Sequence, residues 1–129
     1  MKQNPLKVLN LIAQTIYDKK GFNVLALDVR NFSTLTDYFI IAEGNVDKHV
    51  CAIAHAIIDQ LKEYGEKPIH TEGLQQGDWI VLDYLEVVIH LFQPGLREKY
   101  QLEELWREAA IVDVEIILTP ELTTHFTQK

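Results

Sequence analysis

Three carboxylates, Asp28, Asp83 and Glu86, are the acidic residues that would have to act together if this chain were a metal-dependent nucleotidyltransferase. That chemistry needs two or three carboxylates around a metal, and a Gly-Ser pair at a helix start to hold phosphate. Here Gly44-Asn45 replaces Gly-Ser, and the residue two positions after Asp28 is the cation Arg30. The sequence therefore favours a protein that is not an enzyme, with nucleotidyl transfer as the alternative function.

The remaining metal-ligating and nucleophilic residues give no catalytic pattern either. His49 and His55 lie six residues apart, whereas two ligands on one helical face need a spacing of three or four. The chain has one cysteine, Cys51, so an internal disulfide is impossible, and its residue type suits a small apolar position. No nucleophile motif is visible. We therefore expect neither a bound metal nor a cofactor.

Charge and composition restrict the choice of partner. The 129 residues carry a formal net charge of -7, and Lys19-Lys20 is the longest basic run. Phosphate backbones repel such a chain, whereas a basic protein attracts it, so we expect a protein partner and no direct sequence-specific nucleic-acid binding. No apolar run is long enough for a membrane span, and the first residues lack a signal-peptide core. These features are typical of a cytoplasmic protein.

The periodicity of apolar residues predicts the elements that must position any site. Steps of three and four predict helices over 5–20 and 46–64, with Asn4 and Asn45 as N-caps and Gly21 and Gly65 as terminators. Runs rich in aliphatic and aromatic residues predict strands. The strand candidates are 23–29, 38–42, 67–71, 79–84 and 87–92.

The last part of the chain completes the prediction. A helix is expected after Pro94-Gly95, followed by a strand or arm over 112–118 and a loose tail. The order α-β-β-α-β-β-β-α predicts an α/β fold in which a single domain has a mixed β-sheet with flanking helices. We place that domain at residues 1–110 and a C-terminal extension at 111–129.

The strands 79–84 and 87–92 are separated by two residues, which predicts an antiparallel hairpin. Alternation puts Trp79 and Asp83 on one face, and a face that mixes Trp with Asp is unlike plain core. Trp is also enriched at interface hot spots, although a Trp that caps the sheet under a helix is the alternative. The candidate partner-binding residues on this hairpin are Trp79, Asp83, Tyr84, His90 and Phe92.

The following helical segment carries a second set of candidates. Leu102, Leu105 and Trp106 have the spacing i, i+3, i+4 and form one apolar edge. This edge either packs on the sheet or contacts a partner. Arg97 could pair with a carboxylate or with a partner's backbone, and Tyr100 completes the set.

Five ordered motifs between Leu27 and Ala109 carry a resemblance to a known family. They are LDVRNFSTLTDYFIIAEG, KHVCAIA, TEGLQQGDWIVLDY, VVIHLF and REKYQLEELW. In order and spacing they resemble the ribosomal silencing factors, also called the Iojap-like family. Members often have Gly-Asp where this chain has Leu85-Glu86, so the hairpin turn is expected to differ.

This resemblance implies both a fold and a function. The implied fold is related to that of nucleotidyltransferases but lacks their active site. The implied partner is the fourteenth protein of the large ribosomal subunit, bound at the face that meets the small subunit. Binding there blocks association of the subunits and represses translation under nutrient limitation. An exposed apolar surface could equally serve a homodimer.

Overall fold

The structure is a computed structural model that describes residues 3–31, 33, 35–96 and 109–117. Its first seven elements follow the predicted order α-β-β-α-β-β-β. The helix expected after Pro94-Gly95 falls on residues outside the described ranges, and a short sixth strand lies beyond them. None of the helices in these residues is long and apolar enough to cross a membrane. The elements are α1 (Pro5–Asp18), β1 (Phe22–Asp28), β2 (Tyr38–Glu43), α2 (Asp47–Lys62), β3 (His70–Glu72), β4 (Trp79–Asp83), β5 (Val87–Phe92) and β6 (Ala110–Ile111).

Helix α1 begins as the sequence predicts but ends differently. The Asn4 side chain accepts a hydrogen bond from the Leu6 N–H, which satisfies one of the free donors of the first turn. At the other end Lys20, and not Gly21, adopts a positive φ of 65°. The Gly21 N–H donates to the Ile16 carbonyl over 2.7 Å, and a Cβ on Gly21 would lie 2.5 Å from an Ile16 methyl. Gly21 is therefore required by close packing and not by its φ.

Helix α2 ends at Lys62, and Gly65, predicted as its terminator, closes the turn that follows with a φ of 81°. The prediction that Asn45 is the N-cap of α2 is wrong. The N-cap is Val46, whose side chain makes no capping hydrogen bond. The Asn45 N–H instead donates to His49 Nδ1 over 2.8 Å, and His49 Nε2 contacts the Lys19 carbonyl at 2.6 Å. An imidazole that accepts at Nδ1 and donates at Nε2 is neutral, and here it ties the start of α2 to the end of α1.

The six strands form one mixed sheet in the order β3-β4-β5-β2-β1-β6. The central pair β2–β5 is parallel, and the other neighbours are antiparallel. All six residues of β2 are buried, as expected for a strand covered on both faces. The predicted α/β fold with a mixed sheet is confirmed.

Helices α1 and α2 cover one face of this sheet. Their buried side chains pack against Ala26, Ile40, Ile80, Leu82 and Ile89, among others, to form the larger core. Alternate residues of the same strands point to the opposite face and form a second cluster. Its buried members are Leu27, Val29, Phe39, Ile41 and Phe92, with Leu25, Trp79, Val88, Leu96 and Ala109 packed against them.

The chain after residue 109 adds a strand and then an arm. Ala110 and Ile111 pair with β1, and residues 112–117 run beside α1. The Glu115 N–H donates to the Asn10 side chain over 2.9 Å, and Gln14 exchanges two hydrogen bonds with the backbone of Ile117. Val112, Val114 and Ile116 pack on the larger core. The strand or arm expected over 112–118 is thus an arm over 112–117, and strand β6 precedes it at Ala110–Ile111. The expected loose tail lies outside the described residues.

The β4–β5 turn contains a strained residue. Leu85 has a φ of 73°, and the Glu86 N–H donates to the Tyr84 carbonyl over 2.9 Å, the hydrogen bond of a γ-turn. Leu85 is 55% exposed, and its N–H donates to the Asp83 carboxylate. The turn therefore keeps its geometry despite a residue type that disfavours it.

Replacing Leu85 by glycine should stabilise the protein. The Leu85→Gly change removes the Cβ that disfavours positive φ, and the larger freedom of glycine in the unfolded chain offsets part of the gain. We expect a net increase of about 0.5–1 kcal/mol in the free energy of unfolding, measured by urea denaturation. Leu85→Ala is the matched control, because it shortens the side chain but keeps the Cβ. Equal stability of the two variants would contradict a strained turn.

Candidate functional site

The second face of the β3–β4–β5 half of the sheet carries a surface that mixes apolar and polar residues. The register aligns His70 with Asp83 and Val88 in one row, and Glu72 with Val81 and His90 in the next. All are exposed or partly exposed. We call this surface the sheet patch, and its members are His70, Glu72, Trp79, Val81, Asp83, Val88 and His90.

An aromatic cluster forms one end of the sheet patch. The Trp79 indole Nε1–H donates to His90 Nδ1 over 2.9 Å. The His90 ring lies 4.6 Å from the Phe39 ring and 6.1 Å from the Phe92 ring, centroid to centroid, and Trp79 lies 5.1 Å from Phe92. Ring separations of this size are typical of favourable aromatic pairs. The cluster therefore holds Trp79 and His90 in fixed orientations at the surface.

Burial makes His90 a neutral residue. Desolvation lowers the pKa of the imidazole to about 4, although the Glu72 carboxylate acts in the opposite direction. Near neutral pH the ring thus carries a single proton. Because Nδ1 accepts the Trp79 N–H, that proton is on Nε2.

The other predicted partner-binding residues have different positions. Tyr84 faces the helices and is 4% exposed, and Phe92 is fully buried beneath Trp79. As folded, neither residue offers surface to a partner. The sequence could not predict this, because strand alternation assigns a residue to a face of the sheet but does not show what covers that face. Arg97, Tyr100, Leu102, Leu105 and Trp106 lie outside the described residues. Conversely, Val81, Val88, His70 and Glu72 belong to the patch and could have been found by extending the alternation to the neighbouring strands.

Two glycines that the sequence analysis did not single out shape the loop between β3 and β4, which leads into Trp79. Gly73 and Gly77 both have a φ of 76°. A Cβ on Gly73 would lie 2.1 Å from the Trp79 carbonyl oxygen, and one on Gly77 would lie 2.5 Å from the Asp47 carbonyl oxygen in α2. The Cys51 thiol donates to the Leu74 carbonyl over 3.1 Å, which further ties the loop to α2. The pattern Gly-x-x-x-Gly-x-Trp was the available signal.

The three carboxylates of the alternative enzymatic function are not brought together. Asp28 and Asp83 lie at the ends of β1 and β4, with β2 and β5 between them, a separation of about 14 Å at ordinary strand spacing. Arg30 pairs with Asp28 at 2.7 Å and lowers the pKa of that carboxyl. Asp83 accepts the Leu85 N–H. Within the described part of the chain, no group of three or more His, Cys, Asp or Glu residues is placed to hold a metal ion.

The comparison with known proteins identifies close relatives. The family model described as "Ribosomal silencing factor during starvation" matches residues 2–129. "Ribosomal silencing factor RsfS" of Bacillus subtilis is 38% identical over 112 residues, which cover 87% of this chain and 95% of that protein. The protein of the same name from Haemophilus influenzae is 35% identical over 101 residues, covering 78% of this chain and 99% of that protein.

Solved structures show the same fold. A crystal structure of a protein from Chromobacterium violaceum matches with a TM-score of 0.79 at 30% identity, covering 81% of this chain and 88% of that one. A second, from Bacillus halodurans, matches with a TM-score of 0.74 at 35% identity, covering 84% and 98%. The resemblance that the five motifs indicated is confirmed.

The neutral state of His90 predicts a specific pH dependence of stability. As the pH falls below 6.5 an unfolded histidine takes up a proton, whereas folded His90 does so only near pH 4. The unfolded state therefore binds more protons in this window, and His90 should remove on the order of 3 kcal/mol of stability between pH 6.5 and 4. Urea denaturation of wild type and His90→Phe across this range measures the difference. Parallel curves for the two proteins would show that His90 is not a buried neutral group.

The loop glycines give a second prediction. Gly77→Ala combines a positive φ with a clash against the α2 backbone, so we expect it to lower the free energy of unfolding by about 2–4 kcal/mol. Gly95→Ala is the matched control, because Gly95 has a φ of 94° but nothing lies within 4 Å of its Cβ position. Gly95→Ala should lower the free energy of unfolding by about 1 kcal/mol, the cost of a Cβ at positive φ without a steric clash. Equal costs in thermal denaturation would mean that the loop does not pack on α2.

Proposed function

This chain belongs to the family of ribosomal silencing factors, and we propose that it binds the large ribosomal subunit through that subunit's fourteenth protein and thereby blocks joining of the small subunit. The effect would be repression of translation when nutrients are limited, exerted in the cytoplasm on free large subunits. The sheet patch is the proposed contact surface. Trp79, an aromatic side chain partly exposed at the surface and fixed by a hydrogen bond, is the observation that carries this assignment.

The names of relatives support a ribosomal partner. The bacterial relatives are called ribosomal silencing factors, which describes a regulatory role and not a reaction. A mouse relative, 28% identical over 101 residues, is named "Mitochondrial assembly of ribosomal large subunit protein 1". Both names concern the ribosome, and the second concerns its large subunit. They favour a binding function directed at that subunit.

The composition of the sheet patch suits protein recognition. Trp79, Val81 and Val88 supply partly exposed apolar surface, and the charged or polar groups of Glu72 and Asp83 lie beside them. Interfaces commonly have such an apolar centre with a polar rim, and Trp is enriched among the residues that dominate binding energy. The patch therefore resembles a protein contact more than a small-molecule cleft.

Charge determines which kind of protein fits. The chain has a net charge of -7, and the rim of the sheet patch includes two carboxylates, Glu72 and Asp83. Opposite potentials steer association and disfavour wrong partners. A basic ribosomal protein meets this requirement, whereas bare ribosomal RNA presents repelling phosphates.

A binder of this kind can silence without chemistry. In the described part of the chain, helices α1 and α2 and the six-stranded sheet make a folded body around the larger core. If the sheet patch docks on the subunit-joining face, the helices on the opposite side of the sheet project into the space that the small subunit needs. Silencing then requires only that the protein occupies the large subunit. Its extent therefore depends on the affinity of the sheet patch for that subunit.

Removal of the Trp79 side chain tests this proposal. Trp79→Ala deletes the proposed anchor, and we expect the affinity for purified large subunits to fall roughly thirtyfold or more. The ring also covers Phe92, so the free energy of unfolding should drop by about 2 kcal/mol while the transition stays cooperative. Co-sedimentation with separated subunits measures the binding, and circular dichroism confirms the fold.

Leu6→Ala is the matched control. Leu6 is an apolar side chain of α1 that is 50% exposed and lies on the helical side of the sheet, so its loss should leave binding unchanged. Wild-type binding by a folded Trp79→Ala protein would place the interface elsewhere. Dissociation of a homodimer by Trp79→Ala, with no effect on subunit binding, would assign the sheet patch to a second copy of the chain.

A further inference from the structure

The position of His90 within the sheet patch carries an inference about how the partner is recognised. His90 lies at the β5 end of the row Glu72–Val81–His90, beside Trp79. Its Nδ1 is occupied by the Trp79 indole N–H, which fixes the orientation of the ring. Phe39 and Phe92 lie against the imidazole and prevent it from tilting freely.

The second ring nitrogen carries a proton for which the described residues supply no acceptor. In a neutral imidazole whose Nδ1 accepts, the proton is on Nε2. No hydrogen-bond partner of Nε2 is found among the described residues. Within the same residues the only fully buried side-chain N or O atom without a partner is the Tyr84 hydroxyl oxygen, so His90 Nε2 retains contact with solvent. The donor is thus available to a molecule that docks on the patch.

We propose that His90 Nε2–H donates a hydrogen bond to a backbone carbonyl of the bound ribosomal protein, with Trp79 as the residue that positions the imidazole. The inference rests on the proposed function, because it names the contact by which the same surface selects its partner. A carbonyl fits better than a carboxylate, since Glu72 and Asp83 in the patch would repel a negatively charged acceptor. His90 is a specificity-determining residue in this arrangement. Its hydrogen bond requires one orientation of the partner, whereas the apolar contact of Trp79 alone does not.

Substitutions of His90 separate the hydrogen bond from the packing. His90→Phe keeps an aromatic ring against Phe39 and Phe92 but leaves the partner's carbonyl without a donor. We expect a roughly ten- to hundredfold loss of affinity for purified large subunits, measured by fluorescence titration with labelled protein. His90→Gln restores a side-chain N–H at similar reach and should recover a large part of that loss. Trp79→Phe keeps an aromatic ring but frees the imidazole, so we expect a smaller loss of roughly fivefold.

Two further measurements report the mechanism directly. Long-range ¹H–¹⁵N spectra of the wild-type protein at pH 7 should show His90 protonated at Nε2 and unprotonated at Nδ1. In a double-mutant cycle, the combined Trp79→Phe and His90→Phe variant should bind less weakly than the two separate losses predict, because Trp79 acts partly through His90.

The outcomes are distinguishable. If wild type binds large subunits and a folded His90→Phe protein binds within about twofold of it, the inference is wrong while the proposed function stands. If His90→Phe does not fold, a wild-type spectrum with the proton on Nδ1, or His90→Gln binding no better than background, overturns the inference. If wild-type protein does not bind the large subunit at all, both the proposed function and the inference are wrong.

Discussion

The parallel pairing of β2 with β5 at the centre of the sheet is the constraint on which the rest of the structure depends. Parallel strands need cover on both faces, and every residue of β2 is buried. Helices α1 and α2 supply the cover on one side. Because β5 lies beside β2, Phe92 belongs to the second cluster and the His90 ring lies against Phe39 and Phe92. Strand β4 places Trp79 at the edge of the same cluster.

The hydrogen bond between Trp79 and His90 fixes the part of the sheet patch to which the proposed function is assigned. Trp79 and His90 are cross-strand neighbours of the aromatic cluster, and the bond between them is compatible only with an imidazole whose Nδ1 is unprotonated. Burial, which lowers the pKa of His90, favours the same state. The anchor and the donor of the sheet patch are thus fixed before a partner arrives, and such preorganisation reduces the entropy lost on binding.

Sequence patterns predicted most helices and strands, but not the order of the strands in the sheet or which side chains are buried. Periodicity located α1, α2 and the β4–β5 hairpin because each buries one regular stripe. The parallel β2–β5 pair could not be predicted, since strand order depends on contacts distant in sequence. For the same reason alternation placed Trp79 and Tyr84 on opposite faces but could not show that Tyr84 is the buried one. Val46 is the N-cap of α2 without a capping side chain, and Lys20, which follows the C-cap Lys19 of α1, has a positive φ. Sequence preferences of about 1 kcal/mol at helix ends could not identify either position.

Site-specific photo-crosslinking tests the central claim most directly. Val81 lies in the sheet patch between Glu72 and His90, and p-benzoylphenylalanine incorporated at position 81 would lie against whatever the patch contacts. Irradiation with purified large subunits, followed by mass spectrometry, should yield one major crosslink to the fourteenth ribosomal protein, and the same probe at position 6 of α1 should yield none. Crosslinks from position 81 to ribosomal RNA, to a second copy of the chain, or at equal yield from position 6 would contradict the account.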